Sequence, residues 1–160
     1  DWGLGHATRC IPIIRQLTQT HNIFIASSGQ AAELLKNEFP SLQHFSLPSY
    51  KISYPVNRSM SWHMALHLPV IYAAILQEKK MVKKLIEKYK IDLLISDNRF
   101  GCYAKNIPSV FITHQINIKT PHLSKWVNKL NQNAIKKFSQ CWIPDYETAP
   151  GEDINFDNLD

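Results

Sequence analysis

A histidine beside a glycine-rich loop is the residue of this sequence best suited to acid–base chemistry. The loop is Gly3-Leu4-Gly5, and His6 follows it directly. An imidazole changes charge near neutral pH, so a histidine at the mouth of a crevice can take a proton from a hydroxyl group. The alternative is a helix-start histidine that only hydrogen-bonds the loop. Position alone does not separate these two roles.

The same loop provides a place for negative charge. It leads into a segment with helical spacing, and the first turn of a helix offers unpaired N–H groups and the positive end of the helix dipole. The Arg9 guanidinium can add two parallel hydrogen bonds to an anion. We therefore predict that four residues of this turn bind substrate: Gly3, Gly5, Thr8 and Arg9.

The sequence does not fit two common motifs that have a glycine-rich loop, the dinucleotide-binding fingerprint and the P-loop. The dinucleotide fingerprint G-x-G-x-x-G needs a third glycine where this chain has Thr8, and an acid at the end of the second strand, where it has Ser27 and Ser28. A P-loop needs G-K-[ST] after the glycines, and none follows. A nicotinamide enzyme and a P-loop enzyme are therefore not expected.

Asp97 is the second candidate catalytic residue, because it follows an apolar run at the point where a strand should end. A carboxylate there would orient His6 and stabilise its charged form. A turn or helix-cap aspartate next to Asn98 is an equally good interpretation. Residues that follow the predicted strands give four further substrate-binding candidates: Asn98, Arg99, His114 and Gln115.

A parallel sheet is predicted to position these residues. Apolar runs predict strands at 23–26, 43–47, 91–96, 109–113 and 141–143, and helical spacing marks 7–19, 30–39, 61–89 and 123–138. This alternation predicts an α/β fold, a Rossmann-like parallel sheet with helices on both faces. Ligands bind such sheets outside the carboxyl ends of the strands. We also expect the third helix to be interrupted near Pro69 and the loop 48–59 to have a binding role.

The charge composition indicates which classes of binding partner to expect. The 160 residues carry 18 Lys and Arg against 13 Asp and Glu, and five of those acids lie in the last fourteen residues, so the body of the chain is basic. A basic body favours an anionic partner, such as a phosphorylated sugar or an acidic membrane surface. Nucleic acid is not expected, because basic and aromatic residues are not interleaved. The lysines of 61–89 are typical of a solvated helix surface, with a membrane contact as the alternative.

Cysteine and histidine spacing predicts no metal or disulfide. Three cysteines lie far apart without a CxxC pair, which indicates a reducing compartment. His63 and His67 are four residues apart but lack the glutamate of H-E-x-x-H. No apolar run reaches the roughly 20 residues that span a bilayer. We expect a cytoplasmic protein, with peripheral contact to the inner face of the membrane as an option.

The segment Gly3-Leu4-Gly5-His6-Ala7-Thr8-Arg9 resembles the G-x-G-H-x-x-R loop of the GT-B superfamily. The chain is similar to bacterial glycosyltransferases related to the peptidoglycan lipid-intermediate N-acetylglucosaminyltransferase, and its loop also resembles that of the sugar-nucleotide hydrolase of pseudaminic acid synthesis. Three further stretches carry the resemblance: Ile95-Ser96-Asp97-Asn98-Arg99-Phe100-Gly101, Phe111-Ile112-Thr113-His114-Gln115 and Cys141-Trp142-Ile143-Pro144-Asp145.

The resemblance implies the amino-terminal half of a GT-B fold. Residues 1–146 would be the Rossmann-like acceptor-side domain without its first strand, and 147–160 an acidic tail or the start of a linker. A carboxyl-terminal domain, absent here, would bind the nucleotide-sugar donor. The implied chemistry is metal-independent, inverting sugar transfer to an acceptor hydroxyl, with His6 as base and Asp97 in support. The fragment alone is expected to be inactive. The alternatives are a sugar-nucleotide hydrolase of the same fold and a non-catalytic anion-binding or membrane-surface domain.

Overall fold

The computed structural model describes residues 4–49, 60–114 and 124–144, with the side chains of 60–68, 124 and 126 left undescribed. Helices and strands alternate through these residues, which confirms the predicted α/β class. The elements are α1 (Leu4–Leu17), β1 (Phe24–Ser27), α2 (Gly29–Glu38), β2 (Gln43–Ser46), α3 (Met60–Tyr89), β3 (Leu94–Asp97), β4 (Ser109–Ile112), α4 (Ser124–Ile135) and β5 (Gln140–Trp142).

All strand pairs are parallel, but the strands form two sheets. β1 pairs with β2, and β3, β4 and β5 form a second sheet in that order. The parallel sheet flanked by helices is confirmed as an architecture, although the sequence predicted a single sheet. The sheets are separate because β1 and β3 do not pair with each other, and both strands line a cavity of about 910 Å³.

Each sheet has its own hydrophobic core. Beside β1, Ala7 of α1 packs with Ile25 and Leu35, which are 3–6% exposed. Beside β4, Phe111 is fully buried and its ring centroid lies 4.7 Å from that of Phe138. Burial of a large apolar side chain stabilises a fold by about 2 kcal/mol, so these two clusters anchor the helices to their sheets.

Helix α3 runs without a break from Met60 to Tyr89, with Pro69 inside it. The interruption expected near Pro69 is therefore wrong. A proline removes one N–H donor and bends a helix, but the backbone hydrogen bonds of neighbouring turns can continue it. None of the helices in the described part of the chain combines the length and apolar character needed to cross a bilayer. Most of the loop 48–59 lies outside the described residues, so its binding role stays a prediction.

Candidate active site

His6 and Asp97 meet although they are 91 residues apart in sequence. His6 lies in the first turn of α1 and Asp97 is the last residue of β3. The distance from His6 Nδ1 to Asp97 Oδ1 is 3.1 Å, and the two side chains are 19% and 9% exposed. A partly open imidazole backed by a buried carboxylate has the geometry of a base and its orienting group. The fold thus supplies the contact that the catalytic interpretation of these residues requires.

Arg9 joins the same cluster from the next turn of α1. Its Nε donates to Asp97 Oδ2 at 2.8 Å, and its Nη2 donates to Oδ1. Its Nη1 lies 3.1 Å from Nδ1 of His114. Each guanidinium nitrogen is thus close to a partner within the protein, so Arg9 ties Asp97 to His114.

The contacts of His6 Nδ1 bear on which ring nitrogen of His6 carries the proton. This nitrogen lies 3.1 Å from Asp97 Oδ1 and 2.6 Å from Arg9 Nη2. A guanidinium only donates and a carboxylate only accepts, so Nδ1 cannot hydrogen-bond to both. Arg9 Nη2 has two N–H groups, so it can donate to both Asp97 and Nδ1 when His6 carries its proton on Nε2. In the other tautomer, Nδ1 donates its proton to Asp97. Nε2 then carries the lone pair that a general base needs.

Asp97 is held in its charged form. Burial raises the pKa of this carboxyl, but hydrogen bonds and positive charge from His6 and Arg9 outweigh it, and the net pKa lies below the ordinary 3.8. An ionised Asp97 stabilises an imidazolium on His6, because the two opposite charges are only partly screened by solvent.

Cys10 is a member of this cluster that the sequence analysis missed. Its Sγ lies 3.5 Å from Asp97 Oδ2. Burial, helped by the neighbouring charge of Asp97, raises the pKa of the Cys10 thiol to about 12, so the thiol stays protonated and donates. The spacing of His6, Arg9 and Cys10, i, i+3 and i+4, places them on one face of a helix and was the signal available.

Asn98 and Arg99 turn away from His6 after β3 ends. Asn98 has a φ of 54°, a left-handed conformation that asparagine tolerates, and its N–H donates to the carbonyl of Ile112 at 3.0 Å. The Arg99 side chain is 13% exposed, and its Nη1 donates to Ser28 Oγ at 3.0 Å. Its Nη2 donates to the carbonyl of Pro48. Arg99 therefore links the ends of β1, β2 and β3.

Glu78 is the fully buried partner of Arg99, and sequence reasoning missed it too. One of its oxygens accepts from Arg99 Nε, and the other accepts from the N–H of Gly101 at 3.0 Å. The available signal was its position on the apolar face of α3, between Ile75 and Val82. An acid there is costly unless a partner meets it.

The other predicted substrate-binding residues have three different outcomes. His114 is exposed and its ring centroid lies 6.1 Å from that of His6, so it belongs to the cluster. Thr8 is exposed and donates to the carbonyl of Gly5 at 3.0 Å, within the first turn of α1. Gly3 and Gln115 lie outside the described residues. Among the described side chains, no three of His, Cys, Asp or Glu are grouped as metal ligands would be.

Comparison with known proteins identifies one family. The model of glycosyl transferase family 1 matches residues 2–147, a range that contains the whole cluster. Neither a search of curated proteins nor a search of solved structures found a match to this chain.

Proposed function

Since the chain belongs to glycosyl transferase family 1, we propose that it is the acceptor-binding half of an inverting glycosyltransferase and that His6 is its general base. The observation that carries this proposal is the contact between His6 Nδ1 and Asp97. It supports a base whose proton-accepting nitrogen, Nε2, points away from the carboxylate. The acceptor class is suggested by the resemblance to enzymes that act on the lipid intermediate of peptidoglycan synthesis.

In the proposed reaction, Nε2 of His6 takes the proton of an acceptor hydroxyl. The oxygen attacks the anomeric carbon of a nucleotide-sugar, and the nucleoside diphosphate leaves from the opposite face with the bonding electrons. Asp97 stabilises the imidazolium that forms. A second domain of a longer protein would hold the donor diphosphate, and no metal ion is assigned to the step.

Exposed residues of α3 support a peripheral membrane contact, which would bring the site to a lipid-linked acceptor. Val70, Tyr72 and Leu76 are 43–64% exposed. Exposed lysines follow along the same helix: Lys79, Lys80, Lys83 and Lys84. Apolar side chains beside lysines suit an interface with anionic lipid.

The test uses the longer protein. It is incubated with a panel of nucleotide-sugars, with and without a lipid extract, and nucleoside diphosphate release is followed. We expect acceptor-dependent release that falls by about 10²- to 10⁴-fold in His6→Ala. His21→Ala is the control, because His21 is exposed beyond the far end of α1. EDTA should leave the rate unchanged.

Each other outcome identifies an alternative. Release that does not depend on acceptor would make the protein a sugar-nucleotide hydrolase, with His6 directing water. No release from any donor, combined with salt-sensitive binding to anionic vesicles that survives His6→Ala, would make it a non-catalytic membrane-surface domain. Equal rates in His6→Ala and wild type would remove His6 from the mechanism.

A further inference from the structure

Arg9 lies between the two histidines of the cluster, and each of its three guanidinium nitrogens has a hydrogen-bond partner. Nε and Nη2 donate to the two oxygens of Asp97, and Nη1 lies 3.1 Å from Nδ1 of His114. The side chains of Arg9 and Asp97 are 23% and 9% exposed. Because two parallel bonds to a buried carboxylate fix the plane of the guanidinium, Nη1 has a fixed direction toward His114.

The contact with Arg9 determines which nitrogen of the neutral His114 ring carries the proton. A guanidinium only donates hydrogen bonds, so Nδ1 of His114 accepts the bond from Nη1. A neutral imidazole has one N–H, and with the lone pair on Nδ1 this N–H is on Nε2. His6 differs, because its Nδ1 lies beside a carboxylate, which accepts, as well as beside Arg9. Arg9 thus makes the exposed His114 side chain a hydrogen-bond donor at Nε2.

The two imidazoles are close enough to bind one ligand together. Their ring centroids lie 6.1 Å apart, and the ring planes are inclined at 41°. Two hydrogen bonds of about 3 Å each span a separation of this size. In the tautomer that lets His6 act as a base, its Nε2 accepts a proton, while the Nε2–H of His114 donates one hydrogen bond. A sugar matches this pair of groups, since a ring hydroxyl has an oxygen on the neighbouring carbon.

We propose that Arg9 is a positioning residue, which fixes His114 as a hydrogen-bond donor to the acceptor sugar. His6 takes the proton of the attacking hydroxyl, and the Nε2–H of His114 donates to the oxygen on the adjacent carbon. The acceptor class is therefore a sugar hydroxyl with an oxygen-bearing neighbouring carbon, in contrast to an isolated alcohol or a serine hydroxyl. This role rests on the proposed function, and it adds the group that holds the acceptor beside the reacting oxygen.

Steady-state kinetics of the longer protein separate acceptor binding from the chemical step. A dilution series of the lipid extract gives the relative KM for acceptor, from nucleoside diphosphate release. We expect His114→Met to raise this KM about tenfold, for the loss of a hydrogen bond to the acceptor, while kcat changes less than about threefold. His114→Gln should restore most of the affinity, because its amide oxygen can accept from Arg9 and its N–H can donate to the sugar. An unchanged KM in His114→Met, or equal KM values in His114→Met and His114→Gln, would overturn the proposal.

A double-variant cycle tests whether Arg9 acts through His114. Arg9→Met should raise the KM for acceptor about as much as His114→Met does, but by less than about twofold when His114→Met is already present. Its effect on kcat, which comes from the rest of the cluster, should persist in both backgrounds. Arg15→Met is the control, because Arg15 lies on the same helix with a side chain that is 64% exposed. KM effects of Arg9→Met and His114→Met that multiply in full would overturn the role of Arg9 as a positioning residue.

Two further readouts distinguish failure of this role from failure of the proposed function. Long-range NMR of the longer protein with isotopically labelled histidine shows which ring nitrogen carries hydrogen, and His114→Gln identifies the His114 signals by their loss. We expect the neutral His114 ring to carry its proton on Nε2, and a proton on Nδ1 would overturn the proposal with or without turnover.

The product formed from a labelled donor identifies the acceptor class. We expect the new bond at a sugar hydroxyl whose neighbouring carbon carries an oxygen, and a bond to an isolated alcohol would overturn this class. Release that is equal in wild type and His114→Met would refute only the roles of Arg9 and His114. No release from any donor would refute the proposed function, and the acceptor class with it.

Discussion

Separating Glu78 from Arg99 should cost far more stability than replacing both. Glu78 is fully buried and the Arg99 side chain is 13% exposed. Glu78→Gln leaves a guanidinium without its counter-charge, and Arg99→Met leaves a buried carboxylate. Breaking a buried ion pair from one side costs about 3–5 kcal/mol, so the two single losses should sum to about 6–10 kcal/mol.

The double variant removes both charges together. The amide oxygen that Glu78→Gln introduces can still accept from the N–H of Gly101, so the main losses are the hydrogen bonds of Arg99 to Ser28 and Pro48. At about 1 kcal/mol each, these losses sum to about 2 kcal/mol. The expected coupling between the two sites is therefore about 4 kcal/mol or more.

Urea unfolding at neutral pH, followed by circular dichroism, measures the four free energies of unfolding. The control is the same double-variant cycle for Lys83 and Glu87, which are 77% and 64% exposed and 3.8 Å apart. That exposed pair should show coupling below about 1 kcal/mol. A Glu78–Arg99 double variant whose loss equals the sum of the single losses within about 0.5 kcal/mol would refute this reasoning.

Single contacts give three further predictions. Gly101→Ala should lower the free energy of unfolding by about 1–3 kcal/mol, because the new Cβ would lie 2.6 Å from a backbone carbonyl of α3. Gly5→Ala, whose Cβ would have nothing within 4 Å, should raise the free energy of unfolding by up to about 1 kcal/mol. Equal melting temperatures of the two variants would contradict this prediction. The pKa of Asp97 is lowered in the folded protein, so its ionised carboxylate stabilises the fold above pH 3.8, and this stabilisation is lost as the pH falls through the folded-state pKa. Asp97→Asn should therefore lose less stability than wild type between about pH 5 and pH 2. Urea midpoints that change in parallel with pH in the two proteins would count against this prediction. The charge of Asp97 also helps to raise the pKa of the Cys10 thiol. Iodoacetamide at about pH 8 should therefore label Cys10 faster in Asp97→Asn than in wild type, while the labelling rate of Cys141, whose pKa is raised by burial, stays the same. An unchanged Cys10 labelling rate would show that Asp97 has no such effect.

Local patterns predicted most of the fold. The alternation of apolar runs and helical spacing depends on neighbouring residues only, so the order of α1 to β5 could be predicted along with the α/β class. The same reasoning selected His6 and Asp97, because residues after parallel strands gather at one edge. Pro69 was misjudged, because whether a proline ends a helix depends on the turns around it as well as on the proline.

The amino-acid sequence by itself determined which residue types stand at the ends of the strands, and so where chemistry could occur. Only the tertiary structure decided their partners: Arg9 turns to Asp97 and His114, and Arg99 turns inward to Glu78. It also separated β1 from β3 by a cavity. The physical reason is that periodicity is set by neighbours in sequence, whereas burial, charge pairing and strand neighbours depend on groups brought together from distant parts of the chain.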